Sequence, residues 1–184
     1  MSRFPYANRQ YDIQPYDPAW ATQFSLLAEK IKGIFGDEAK AIEHIGSTSV
    51  PGMEGKPTID VLVLVSDPAL LDVEKERMEA AGYVYEGQMV THDSRLYREV
   101  RDGEITANIH VFPKDHPHVR EMLRLRNYLR AHPKDVEEYS KLKRELKEKY
   151  PNDYAAYHKE KDEFLDSILK KRLGIIGLLR KLLR

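Results

Sequence analysis

Apolar positions follow two periods along this chain, and the switches between them mark out its elements. From residue 18 to 35, Trp20, Phe24, Leu27, Ile31 and Ile34 recur at three- and four-residue steps, the spacing of a helix with one buried face. Asp17-Pro18 supplies an N-cap with proline at the first helical position, and Gly36 a stop. Residues 42–45 alternate, Ile42 and His44 against Glu43 and Ile45, and run into Gly46-Ser47. Residues 59–65 are an almost unbroken apolar run carrying one acid, Asp60, which predicts a strand buried on both faces of a sheet. Ser66-Asp67-Pro68 opens a second amphipathic helix to about residue 81, with Leu70, Leu71, Val73 and Met78 as its apolar contacts and Gly82 as its end.

Strand character resumes at 83–85, and two further strands, 95–100 and 105–112, flank Arg101-Asp102-Gly103-Glu104, where Asp-Gly signals a hairpin. From Val119 the chain turns helical and charged. One helix covers about 119–131, a second starts at Pro133 and continues to about 150, and Pro151-Asn152-Asp153 resets the chain for a third, to about 173. Residues 1–16 read as an extended arm carrying Tyr11, Ile13 and Tyr16. The pattern predicts one α/β (α+β) domain over 1–173, with a sheet within about 37–113, the first two helices packed on it, and a helical layer at about 119–173. The tail at 174–184, GIIGLLRKLLR, has the pattern of a basic amphipathic helix, with Ile175, Leu178, Leu179, Leu182 and Leu183 on one face. A packing or oligomer-forming helix, a frayed end and a membrane-surface segment all fit it.

Composition narrows the function classes. The 30 basic and 30 acidic residues cancel, so the chain lacks the overall positive field of a sequence-independent nucleic-acid binder. Zero cysteines exclude thiolate metal sites, disulfides and a cysteine nucleophile, and fit a reducing cytoplasm. Pro5, Tyr6 and charged residues stand where a signal peptide needs an apolar run, and no 18-residue apolar segment occurs, so a soluble cytoplasmic protein without a membrane span is expected.

Candidate chemistry centres on Asp60. A carboxylate in an apolar strand must be paired, bound to a metal, or placed at a strand end where a site opens; pairing with Lys56 or an arginine is the purely structural account. Gly46, Ser47 and Thr48 form a turn whose amides and hydroxyls can hold phosphate, although Ser47 can equally be a helix cap. His110 lies on the strand expected beside Asp60. An imidazole suits Zn²⁺ or Mn²⁺ better than Mg²⁺, and a hydrogen-bonded structural histidine is its plainer role, as it is for His44. Arg95 and Arg98 on a hairpin strand, and Arg124, Arg126 and Arg130 on the next helix, could grip phosphate or carboxylate oxygens two at a time, or could be solvated surface charges. No nucleophile-elbow spacing joins His44, Ser47 and Asp60, and GSTSVPGMEGK has the wrong Gly-Lys spacing for a phosphate-binding P-loop.

A strand, a Gly-Ser turn, about a dozen residues and an acid-bearing apolar strand resemble the core of the nucleotidyltransferase superfamily. More narrowly, IEHIGSTSVPGMEGKPTIDVLV at 42–63, RLRNYLRAHP at 124–133 and YAAYHKEKDEF at 154–164 resemble the GrpB family of small bacterial proteins, some of which occur fused to a dephospho-CoA kinase. The resemblance implies a nucleotidyltransferase-like fold with a short mixed, mostly antiparallel sheet, phosphate contacts from Lys56, Arg130 and Lys161, and a divalent metal (Mg, Mn or Zn) near Asp60 and His110. It also implies an acid where this chain has Asn127. Metal-dependent nucleotidyltransferases carry a second carboxylate two residues after the first; here that position is Leu62. Two functions are therefore expected of the chain: a nucleotide- or phosphate-ligand protein with an altered nucleotidyltransferase-like site, catalytic through Asp60 if it transfers at all, or a non-catalytic accessory domain.

Overall fold

The computed structural model describes residues 11–67, 70–88 and 91–173, the side chains of 70–73 and 171–173 excepted. The predicted contacts Leu70, Leu71 and Val73 and the 174–184 tail lie outside the described residues. Helix α1 (Ala19–Phe35) leads through a short 3-10 turn into β1 (Ala39–Ile45). A second 3-10 turn, Ser47–Ser49, and an irregular stretch precede β2 (Ile59–Val65). Helix α2 (Leu70–Ala80), strands β3 (Val84–Gly87), β4 (Arg95–Arg101) and β5 (Glu104–Pro113), and helices α3 (Pro117–Ala131), α4 (Pro133–Lys149) and α5 (Tyr154–Leu173) follow.

The local signals work as their chemistry requires. The Asp17 carboxylate accepts from the Ala19 amide at 2.8 Å, capping α1, and Gly36 ends it at φ 57°. Asp102 and Gly103, at φ 51° and 83°, make the β4–β5 turn in the left-handed conformation that the Asp-Gly pair tolerates.

The five strands form one mixed sheet in the order β1-β2-β5-β4-β3. The β2–β5 pair is parallel and the others antiparallel. Because side chains alternate across a strand, β2 divides its residues between two layers. Ile59, Val61, Val63 and Val65 join Trp20, Leu27, Ile31 and Phe35 of α1 and Met78 of α2 in one core cluster. Leu62 and Leu64 pack with Ile45, Phe112, Val119 and Leu169 against the C-terminal helices. A further cluster joins Val50 and Met53, from the segment after β1, to Leu129, Val136, Tyr139 and Ile168. Strand β2 is thus covered on both faces, with Val61, Leu62, Val63 and Val65 fully buried. The N-terminal arm is tied down by the backbone pair Gln14–Gly55 and by Tyr11, whose ring packs on Tyr154 and Tyr157.

Candidate functional site

Strand register sets the site. On the face turned to α3–α5, Asp60 of β2 lies beside Asn108 of β5, which lies beside Arg98 of β4. One step along, Leu62 lies beside His110 and His110 beside Leu96. Asn108 donates to Asp60 Oδ1 at 2.8 Å, so the acid is held by an amide and not by the lysine or arginine suggested by the sequence. Its other oxygen presses on Gly46: a Cβ at residue 46 would sit 2.2 Å from Asp60 Oδ2. Gly46 itself is at φ 72°, ψ −174°, a region essentially reserved to glycine. Both facts demand glycine, and together they bring the Gly46-Ser47 turn against the acid.

A cavity of about 180 Å³ opens there. Its polar lining is Gly46, Ser47, Asp60, His110, Arg126 and Lys161, and its apolar lining includes Ile45, Val50, Met53, Leu125, Leu129 and Leu165. Six residues singled out from the sequence, spread over the turn after β1, β2, β5, α3 and α5, therefore meet at one place. Arg126 spans cavity and sheet, its guanidinium donating to Glu43 Oε2 at 2.7 Å and the His44 carbonyl at 2.9 Å. Lys161 stands 3.6 Å from Asp162. Burial pushes the His110 imidazole toward its neutral form, with Asp60 opposing and Arg98 reinforcing that shift. Among the described residues its buried Nδ1 has no hydrogen-bond partner, which leaves an unsatisfied polar atom on a residue of the cavity wall.

The other candidates lie elsewhere. Thr48 is buried; its hydroxyl meets His44 Nε2 at 3.0 Å and donates to the Thr58 carbonyl at 3.4 Å. His44 stacks on Phe24, centroids 4.5 Å apart, on the α1 side of the sheet. Burial lowers its pKa to about 4, with Asp60 opposing and Arg130 and Arg126 adding to the fall. Thr48 and His44 therefore brace the turn from behind. Lys56 donates to the Tyr154 hydroxyl at 2.7 Å, away from Asp60. Arg130 holds the Ser49 carbonyl at 2.9 Å and so fixes the turn without lining the cavity. Arg98 is buried with Glu86, the closest N–O approach being 3.7 Å, and Asn127 only accepts from Arg126 Nε at 3.0 Å.

Two participants went unnoticed in the sequence. Asn108 is visible only once register pairs it with Asp60. Lys143 is 1% exposed, and its ammonium reaches Ser47 Oγ at 3.3 Å, the Glu54 carbonyl and the face of Tyr139 at 4.5 Å from the centroid. A signal for it did exist: residue 143 falls on the stripe of buried α4 residues Val136, Tyr139, Ser140 and Leu146, an apolar-face position occupied by a charge.

The donor set does not fit a two-magnesium centre. Position 62 shares the face of Asp60 but offers a fully buried leucine. Asp60 and His110 are joined by no third His, Asp or Glu among the described residues, and Mg²⁺ prefers oxygen ligands. Nor is any described helix long and apolar enough to cross a membrane.

Comparison with known proteins agrees with this architecture. A crystal structure of the conserved protein GrpB from Enterococcus faecalis superposes with a TM-score of 0.80 at 32% identity, covering 88% of this chain and 99% of that one. The nucleotidyltransferase-type fold is shared with the terminal uridylyl transferase Cid1, at a TM-score of 0.50, 9% identity and 70% of this chain against 39% of that one. Among relatives, YqkA of Bacillus subtilis is 35% identical over 87% of this chain, which spans 46% of that protein's length. A Mycolicibacterium paratuberculosis protein named dephospho-CoA kinase is 25% identical over 79% of this chain and 42% of its own. The family model for GrpB protein matches residues 10–171, and with the GrpB structure overlying nearly its whole length, this chain belongs to the GrpB family.

Proposed function

We propose that this protein binds a small phosphorylated ligand or nucleotide in an altered nucleotidyltransferase-like site, with Ser47, Arg126 and Lys161 meeting the phosphate and Asp60 and His110 a neighbouring polar group. The observation that carries this reading is the convergence of these five side chains, from five different elements, on one cavity. Preorganised donors of this kind serve phosphate binding whether or not transfer follows. Two-metal phosphoryl transfer uses cations to clamp both the attacking and leaving oxygens, and Leu62 supplies no ligand for the second cation. Binding without efficient transfer is therefore the expected activity.

A second reading is favoured by the relative named dephospho-CoA kinase, of which this chain matches 42%. In it the fold serves as an accessory domain of a longer enzyme. One screen separates the two. Thermal melts with nucleotides and CoA precursors, each with and without Mg²⁺, Mn²⁺ and Zn²⁺, should show a ligand stabilising the protein by about 2.7 kcal/mol at 100 times its Kd. Asp60→Asn should remove that shift and leave the unliganded fold intact. A parent protein that responds to none of these ligands, together with an Asp60→Asn variant that unfolds, favours the accessory reading and makes Asp60 structural.

A further inference from the structure

The cavity is small and mostly apolar. At about 180 Å³ it lies just above the roughly 150 Å³ of an apolar cavity that encloses benzene, and below the roughly 300 Å³ where pockets for drug-sized ligands begin. Because the cavity is open on one side, its walls enclose a head group and a body of about benzene size, and any larger part of a ligand would project outward. Its apolar wall, Ile45, Val50, Met53, Leu125, Leu129 and Leu165, offers hydrocarbon and no hydrogen bonds to a ligand's body.

The polar end has an unusual support. Ser47 lines the cavity, and behind it lies the buried Lys143, with no carboxylate paired to it among the described residues. Its contacts are the Ser47 hydroxyl, the Glu54 carbonyl and the Tyr139 ring. A hydroxyl that accepts from an ammonium keeps its own proton to donate elsewhere, and for Ser47 the free direction is the cavity. Gly55 makes room for this: a Cβ there would lie 2.8 Å from Ser47 Cβ and 3.8 Å from Lys143 Nζ. Lys161 adds a second cation to the wall, and His110, whose buried Nδ1 has no partner among the described residues, belongs to the same wall.

We propose that the cavity takes a small amphiphilic anion, a carboxylate or phosphate monoester with an apolar body of about benzene size, whose head group is held by Ser47 backed by Lys143 and beside Lys161. This rests on the phosphate-site reading for where the head group sits, and narrows its ligand. Lys143 acts through Ser47 and is a positioning residue.

A consequence follows for pH. Burial brings the Lys143 pKa down to about 7, the like charge of Lys161 adds to the fall, and Glu54 opposes it. The charged groups around it are Glu54, whose carboxylate is held by Arg144, and Lys161, which stands beside Asp162; on its own helix it faces the Tyr139 ring. An anion at Ser47 favours the ammonium form, so above pH 7 binding takes up a proton and weakens by about tenfold per pH unit until the bound-state pKa is reached.

The test is calorimetric titration of the full chain with hexanoate, hexyl phosphate, hexanol and inorganic phosphate. It is run at pH 6.5 and 8.5 in buffers of different ionisation heat. At least one hexyl anion should bind, with hexanol and inorganic phosphate at least tenfold weaker. Affinity should drop tenfold or more between the two pH values, with proton uptake at the higher one. Lys143→Met should abolish the pH dependence, and Ser47→Ala should weaken binding at pH 6.5 about tenfold. If Lys143→Met does not fold, the parent pH series and Ser47→Ala decide. Equal binding of hexanol or of inorganic phosphate, pH-independent affinity, or no binding of either hexyl anion overturns the inference. Nucleotides that stabilise the protein while neither hexyl anion binds would overturn this inference and leave the phosphate-site reading standing. Hexanoate binding with no phosphorylated compound bound would do the reverse.

Discussion

Gly46→Ala tests the geometry on which the site depends. Two penalties are readable from the structure. The backbone at φ 72°, ψ −174° costs a non-glycine residue about 1–3 kcal/mol. The added methyl would lie 2.2 Å from Asp60 Oδ2 and 2.9 Å from its Cγ, so the carboxylate must move off Asn108 or the turn must lift, an overpacking cost of about 1–3 kcal/mol. The sum, about 2–6 kcal/mol, is a large share of a typical stability of about 5–15 kcal/mol. With a urea slope near 2 kcal/mol/M, the denaturation midpoint should fall by about 1–3 M. Adding Asp60→Ala removes the 2.2 and 2.9 Å contacts and leaves only the 3.0 Å approach of Cβ, so the double variant should be more stable than the sum of the single losses predicts, by about 1–3 kcal/mol. Urea melts of the parent, both single variants and the double variant measure this cycle. A Gly46→Ala protein as stable as the parent, or strictly additive losses, would refute the proposed contact between turn and acid.

Other outcomes follow from the same structure. Leu62→Asp restores the second carboxylate of the transferases but places it in the apolar cluster with Leu64, Phe112, Val119 and Leu169; it should lower stability by several kcal/mol, and a folded variant gaining Mg²⁺ affinity in melts would contradict this. Val63→Asp, on the opposite face of the same strand and fully buried, should fail to fold, which circular dichroism checks. His44, with its pKa lowered from 6.5 to about 4 chiefly by burial, takes a proton in the unfolded chain before it does so in the folded one. Its contribution is therefore complete above pH 6.5 and is lost as pH falls toward 4, at about 1.4 kcal/mol per pH unit. Glu74, raised to about 7 mainly by burial and by its hydrogen bond to Glu38, titrates with the opposite sign between 4.5 and 7. The clean measurement is thus a comparison of denaturation at pH 6.5 and 5 for the parent and His44→Gln: the variant should lose about one proton's worth of the acid slope, and an unchanged slope would show that His44 is not the group responsible.

The elements were legible in the sequence because each is written in a local signal: the three- and four-residue steps of Trp20, Phe24, Leu27 and Ile31, the apolar run at 59–65, Asp17-Pro18, Asp102-Gly103. The resemblance carried by residues 42–63 supplied the family, and the single acid in a buried strand pointed to Asp60. Tertiary structure decided which residues of correct chemistry belong to one site. Thr48, Lys56, Arg98 and Arg130 matched Ser47, Arg126 and Lys161 in type, yet the first four are held by the Thr58 carbonyl, the Tyr154 hydroxyl, Glu86 and the Ser49 carbonyl, and only the second set lines the cavity. Asn108 became visible only through a parallel register spanning 48 residues, a pairing no local pattern encodes. Lys143 sat on an apolar stripe that the sequence displays, but a long side chain there can reach outward to water or inward to a partner. The packing of α4 against the Gly46–Gly55 segment, which places Ser47 Oγ and the Glu54 carbonyl within its reach, settles that it turns inward.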